Sequence, residues 1–425
     1  MTFYIPSVKN NIIQYLHIKY YDSDDDVKPY INTSLYRYLL QIKKKITENQ
    51  DSWDSMKKYT NLYEFIHTPV NQYKRSVCVH NPISRSYFKM IEMLNTHNLL
   101  KKYNKSIRTF HLAEGPGGFI EAISSLRKRK DDYYYGMTLI DEKNKNVPGW
   151  NKTKSFLLNN RNVIIETGKT KDGNLFSVEN LKYCKEKYGN NMEIITGDGG
   201  FDFSIDYNKQ ELLATKLIFS QIIFALHMQK YGGTFIIKVF DLFLESSIDL
   251  IYLLSCFYNN IIITKPNTSR VGNSEKYIIC KGFNLYSITD FSSSLISLFE
   301  EVHKSNLYIK RFLHFKLPVY ITNKIEEINA IFGQQQIENI NYTINLVGNY
   351  KNKEKIENAK KYNIEKCIKW CIKNNQPYNK LDITTNIFTS TKNQIIENNY
   401  SDEKSDSDDK NDTSMNMFCC DLYDD

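Results

Sequence analysis

Hydrophobic and polar positions change their period near residue 108. Before that point the regular stretches are helical. In residues 34–49, Leu35, Leu39, Leu40 and Ile42 share one face of a 3.6-residue turn. A second helix is predicted over residues 84–100, opened by Ser84 after the Asn81-Pro82 breaker, with Tyr87, Ile91 and Leu94 at helical spacing and Lys89 on it. From residue 108 short β-rich runs alternate with helical ones. Strands are expected at 109–114, 132–139, 162–167, 192–197, 233–240, 260–265 and 275–282, and helices at 118–128, 207–230 and 244–257. Strands separated by helices build a parallel sheet from βαβ units. The last two runs are joined only by a loop and are open to antiparallel pairing. The expected fold is therefore α/β: a Rossmann-like, doubly wound, seven-stranded sheet whose ligands sit beyond the carboxyl ends of the strands. Residues 1–75 read as an N-terminal extension, 76–285 as the α/β domain, 286–400 as a helical C-terminal region and 401–425 as an acidic disordered tail.

Composition supports a folded chain: 41% of the 425 residues are hydrophobic and 13% aromatic. The formal net charge of +8 understates the basic body, because residues 401–425 alone carry −7 and leave +15 on the rest. Such an excess favours polyanionic partners, nucleic acid first, although solubility explains it equally well. The eight cysteines form no CxxC pair and no Cys/His spacing suited to zinc, so they read as reduced and structural, and no metal is expected. The N-terminus lacks a basic segment followed by an apolar core, and no apolar stretch approaches 18 residues. A soluble intracellular protein with no membrane partner is the expectation.

Candidate chemistry lies at the strand ends. The first strand runs into Glu114-Gly115-Pro116-Gly117-Gly118 and then directly into a helix. Glycines there let a ligand approach the backbone, and a tight turn without a ligand is the plain alternative. The spacing is neither G-x-G-x-x-G nor a P-loop, which disfavours a dinucleotide or a nucleoside triphosphate. The fourth strand ends in Gly197-Asp198-Gly199-Gly200, placing a carboxylate at the cleft mouth. Lys238 interrupts the apolar run Phe235–Phe240, where an unpaired charge is costly. Glu275 opens the last strand and reaches the same sheet edge. Singly each is ordinary, but three ionisable groups at one edge form a site.

These motifs (GPGGF, DGGF, IIKVFDLF and KPNTSRVGNSEKYIICKGF) resemble the FtsJ/RrmJ-like 2'-O-methyltransferases, and within them the cap-specific mRNA (nucleoside-2'-O)-methyltransferases of animal cells and large DNA viruses. The likeness covers residues 81–284. It implies S-adenosyl-L-methionine as methyl donor and a Lys-Asp-Lys-Glu tetrad at Lys89, Asp198, Lys238 and Glu275. Donor contacts carry over to Gly115, Pro116, Gly117, Gly118 and Asp198, and adenine contacts to Asp172 and Asn174. Asn174 stands where the family commonly has an acid, and Glu114 where relatives often have a small residue.

The implied reaction moves a methyl group to a ribose 2'-hydroxyl, with Lys238 as general base, the carboxylates orienting it and Lys89 steadying either the developing alkoxide or an adjacent phosphate. A free lysine has a pKa near ~10.4; burial and neighbouring cations favour loss of its proton, and the carboxylates oppose it. Lys265 and Arg270 are candidates to hold the RNA backbone, with structural salt bridges as the competing reading. Capped mRNA is the first expected partner, with a capping-enzyme or transcription-machinery protein as a further one. Host cytoplasm or virion would follow from the viral relatives, and the nucleus from the animal ones. The rival functions are methylation of ribosomal or other structured RNA, and a non-catalytic RNA-binding or virion protein that keeps the fold.

Overall fold

In the computed structural model, which describes residues 1–381 except 9–10, 24–26, 142, 144–146, 148, 201–206 and 350–351, all seven expected runs are strands. The tail over 401–425 lies outside the described residues. In chain order the elements are β1 (Thr2–Ile5), β2 (Leu16–Tyr20), α1 (Thr33–Glu48), α2 (Gln50–Thr60), α3 (Ser86–Thr96), β3 (Arg108–Leu112), α4 (Gly118–Arg127), β4 (Tyr133–Met137), α5 (Lys154–Asn159), β5 (Val163–Ile165) and α6 (Val178–Tyr188). They continue with β6 (Met192–Gly197), α7 (Gln210–Met228), β7 (Gln229–Val239), α8 (Glu245–Phe257), β8 (Tyr258–Thr264), β9 (Lys276–Phe283), α9 (Thr289–Lys304), β10 (Ile309–Leu313), α10 (Val319–Gly348) and α11 (Lys353–Lys373).

The main sheet has the order β1-β8-β9-β7-β6-β3-β4-β5. Neighbours from β7 to β5 pair in parallel, and β1, β8 and β9 pair antiparallel. The switch has a local cause. A parallel return needs a crossover of a dozen or more residues, usually helical, and the chain between β8 and β9 carries no helix. The sheet thus has eight strands rather than seven. The extra one, β1, comes from the segment expected as an extension and covers the edge of β8, with Thr2 opposite Thr264 and Ile5 opposite Ile261. Strand β10 pairs β2, and α10 packs on α1 and α2. Residues 1–75 and 286–380 are in this way woven into one unit with the α/β domain.

Helix α7 has no uninterrupted apolar run of 18 residues, since Glu211, Lys216 and Gln221 lie in it. It is long and apolar enough to cross a membrane, yet 83% of its apolar window is buried inside the protein. It packs on β6 and β7 on one side and against α6, α8 and α9 on the others, which explains why it is hydrophobic on all sides.

Register is what assembles the site. Leu112 pairs with both Met137 and Gly197, and Gly197 with Ile237. The residues just beyond this row, including Thr138, Glu114, Asp198 and Lys238, emerge at one edge. Two buried polar groups brace it. His111 bonds Thr109 Oγ1 and Thr196 Oγ1, each at 2.8 Å, and burial pushes its pKa down to about 3, so it is a neutral core histidine. Glu211 accepts the N–H groups of Phe243 (3.2 Å) and Leu244 (2.8 Å) and fixes the chain leaving β7.

Burial raises the Glu211 pKa from 4.5 to about 8, with the Asp241 charge adding to the rise. A raised acid pKa stabilises the fold fully below the unfolded value, and that contribution is lost as pH climbs through the folded one. Stability is therefore expected to fall by about 1 kcal/mol per pH unit between about pH 4.5 and pH 8 on this account. Denaturant unfolding across that range checks it, and a Glu211→Gln chain with the same pH slope would refute the assignment.

Candidate active site

The glycine turn is shaped by close packing rather than by flexibility. A Cβ on Gly118 would lie 2.2 Å from Ser86 Oγ and 2.5 Å from Ser84 Oγ, so only glycine lets α4 start against α3. Gly117 has φ +106°, and a Cβ on Gly115 would sit 2.5 Å from Gly149 O. Trp150 packs on Gly117 and Gly136, and Thr153 Oγ1 donates to Pro116 O at 2.6 Å, closing the turn from one side. Glu114 caps α4: its carboxylate accepts Phe119 N–H, while its other oxygen has no hydrogen-bond partner among the described residues. Burial raises its pKa well above the carboxylate range, against the bonds from Phe119 and Ile120. A carboxyl group on the first turn of α4 occupies the place where a phosphate would bind, so the helix end is not an anion site.

Beside this turn the four ionisable residues form two crossed pairs. Lys238 donates to Asp198 O at 2.8 Å and lies 3.3 Å from its Oδ1. Lys89 on α3 meets Glu275 at 2.6 Å, and Glu275 also accepts Ser269 Oγ at 2.8 Å. All four side chains are at most 13% exposed. Burial alone would raise the Glu275 pKa, but the charges of Lys89 and Lys238 and the bond from Lys89 outweigh it, leaving the carboxylate well below its usual range. Burial lowers the Lys89 pKa, Glu275 and Asp198 oppose the change, and Arg85 and Lys238 reinforce it.

Tyr277 joins the pairs and is absent from the sequence reading. It stands opposite Lys238 in the β7–β9 register, donates to Asp198 Oδ1 at 3.0 Å, and lies with its ring 6.0 Å from Lys89 Nζ. Its signal was present in YIICKGF, but only the pairing of β9 with β7 puts it next to Lys238. Glu92, also on α3, accepts the N–H groups of Asn267 and Thr268 together with Trp370 Nε1, and so ties the loop before Glu275 to α3 and α11.

The other expected residues are placed differently. Asp172 Oδ1 accepts from Thr170 Oγ1, Asn174 N and Asn180 Nδ2, and Asn174 Oδ1 accepts Phe176 N. These oxygens hold their own loop, which presses against β4 because a Cβ on Gly173 would fall 2.0 Å from Thr138 O. Lys265, expected at the RNA, is turned inward and gives its Nζ to Asn273 O, Asn273 Oδ1 and Glu275 O at 2.6–2.9 Å. Arg270 forms a two-bond pair with Glu64, at 3.0 and 2.5 Å. For both cations the structural salt-bridge or scaffold reading describes the geometry.

The expected donor fits the cradle on two observations. Glycines at 115, 117 and 118 leave room at the strand ends, and the acid beside them, Asp198, suits a cationic sulfonium compound rather than a nucleotide phosphate.

Residues 82–283 match the FtsJ-like methyltransferase family, and this stretch is an FtsJ-like methyltransferase domain, a class that uses S-adenosyl-L-methionine. Among its relatives, the cap-specific mRNA (nucleoside-2'-O-)-methyltransferase 2 of Drosophila melanogaster is 28% identical over 216 residues, covering 48% of this chain and 30% of the relative. The corresponding methyltransferase 1 of Mus musculus is 33% identical over 206 residues, covering 47% and 24%. For methyltransferase 2 of Danio rerio the values are 28% over 289 residues, covering 65% and 38%. The chain thus spans well under half the length of these relatives.

Proposed function

We propose that this protein methylates the ribose 2'-hydroxyl of a cap-proximal nucleotide in mRNA. The observation that carries the reading is the crossed arrangement of Lys89–Glu275 and Lys238–Asp198 beside the glycine turn. Gly115, Pro116, Gly117 and Gly118 would hold the donor, with Asp198 at the cleft floor. When bound, S-adenosyl-L-methionine supplies a methyl group on a positively charged sulfur, so a C–O bond forms as the C–S bond breaks and a neutral thioether leaves. Lys238 Nζ takes the hydroxyl proton, held in place by the main chain and carboxylate of Asp198. Tyr277 fixes that carboxylate from the other side. Lys89, anchored by Glu275, offers its positive charge to the oxygen as negative charge develops there. The names of these three relatives favour a capped substrate over structured RNA.

The test is transfer of labelled methyl to short RNAs, capped and uncapped but otherwise identical. Label on the 2'-oxygen of capped RNA alone is the expected result. Equal labelling of both would transfer the reading to structured or uncapped RNA, and donor binding without transfer to any RNA would overturn catalysis.

A further inference from the structure

Among the described residues around the site, the cations other than Arg85 are held either by an acid or by scaffold oxygens, as Lys265 is. Lys89 is matched by Glu275, Lys238 by Asp198 and Arg270 by Glu64. Arg85 is left over. It precedes α3 as its N-cap residue, four positions before Lys89, which puts the two side chains on one face of the helix start. Its guanidinium makes no hydrogen bond or ion pair among the described residues. Both oxygens of Glu64, the acid nearest in charge, are already bonded to Arg270. Burial and then the like charge of Arg270 lower the Arg85 pKa, with Glu64, Glu275 and Tyr277 opposing them. The same charge helps burial to push His67 down to about 4, so that ring is neutral and supplies no second cation. A half-buried guanidinium with five free N–H donors, ringed by groups already paired with one another, lacks an anion. Lys265 and Arg270, the cations expected to meet the RNA, are spent on the scaffold.

We propose that Arg85 binds a backbone phosphate of the RNA next to the ribose presented to Lys238. This rests on the RNA methyltransferase reading above. Arg85 thereby acts as a positioning residue: it seats the strand, and Lys238 and Lys89 meet the hydroxyl. The planar fork matches two phosphate oxygens at once, which a lysine cannot do. The contact carries no base information, so it serves any sequence.

The experiment titrates a short capped RNA into the full chain at several salt concentrations, for wild type, Arg85→Gln and Arg85→Lys, with donor affinity measured in parallel. Arg85→Gln is expected to weaken RNA binding about tenfold or more and to reduce the slope of log K against log salt by about 0.7, with donor affinity retained. Its KM for RNA should rise more than its kcat falls. Arg85→Lys should keep the slope and bind more weakly than wild type. A purely structural role would leave the slope untouched, and wild-type affinity and slope in Arg85→Gln would overturn the proposal. If Arg85→Gln also loses the donor, Arg85→Lys decides: weaker RNA binding with intact donor binding supports the contact, and wild-type RNA affinity refutes it. Wild type that neither binds nor methylates RNA would sink the methyltransferase reading itself, whereas active wild type with indifferent Arg85 variants sinks only this contact.

Discussion

Lys238→Ala is expected to lose about a hundredfold to ten-thousandfold in single-turnover methyl transfer while still binding donor and RNA. The lysine sits on β7 just past the row where its parallel companions β3, β4 and β6 end, and the main-chain oxygen of Asp198 holds its nitrogen. Nothing else within the described site offers an amine there. Lys89 is engaged by Glu275 at 2.6 Å and lies on a different element. Lys238→Arg makes the sharper test, because a guanidinium keeps the charge and the bonds to Asp198 but does not give up its proton. It should be as inactive as the alanine variant. Full activity in Lys238→Arg would remove the lysine from the role of base and leave it as a positive charge only.

Glu275→Gln should cost about 3–5 kcal/mol of stability as well as most activity, because it leaves the buried Lys89 ammonium without its counterion. The Lys89 pKa is already lowered by burial, and Glu275 is the first of the charges that oppose the drop. In the variant it falls further below 10.5, so the unfolded chain binds that proton more tightly than the folded one. Stability should then rise with pH through the window between the two values, a slope that chemical denaturation at several pH values can read. The double change Lys89→Met with Glu275→Gln separates folding from function. Removing both charges should recover much of the stability, since an apolar replacement of a buried pair is often neutral or better. Methyl transfer should stay lost. Recovery of transfer in the double variant would make the pair structural only.

Part of this site is legible in the primary structure for local reasons. Lys238 stands out because a charge inside Phe235–Phe240 demands a purpose, and Gly115, Gly117 and Gly118 because a strand that turns straight into a helix needs room. Asp198 and Glu275 follow from their places at strand ends. The alternation of short apolar runs with helices is likewise a local signal, and it sufficed for the α/β class and for all seven of the strands expected.

What only the tertiary structure decided are the partnerships between distant segments. Strand β1 is four residues long and carries no readable alternation until β8 offers it an edge. Tyr277 becomes part of the site through the β7–β9 register, and Arg270 is paired with Glu64, 206 positions away. Lys265 and Arg85 are both basic residues in polar contexts, yet one is spent on three oxygens of its own loop and the other has no partner among the described residues. Composition and periodicity report what a residue is and which face of its element it occupies. Whether its charge is already satisfied depends on which acids and other oxygen acceptors the fold brings within about 4 Å, and that is settled only when the chain has packed.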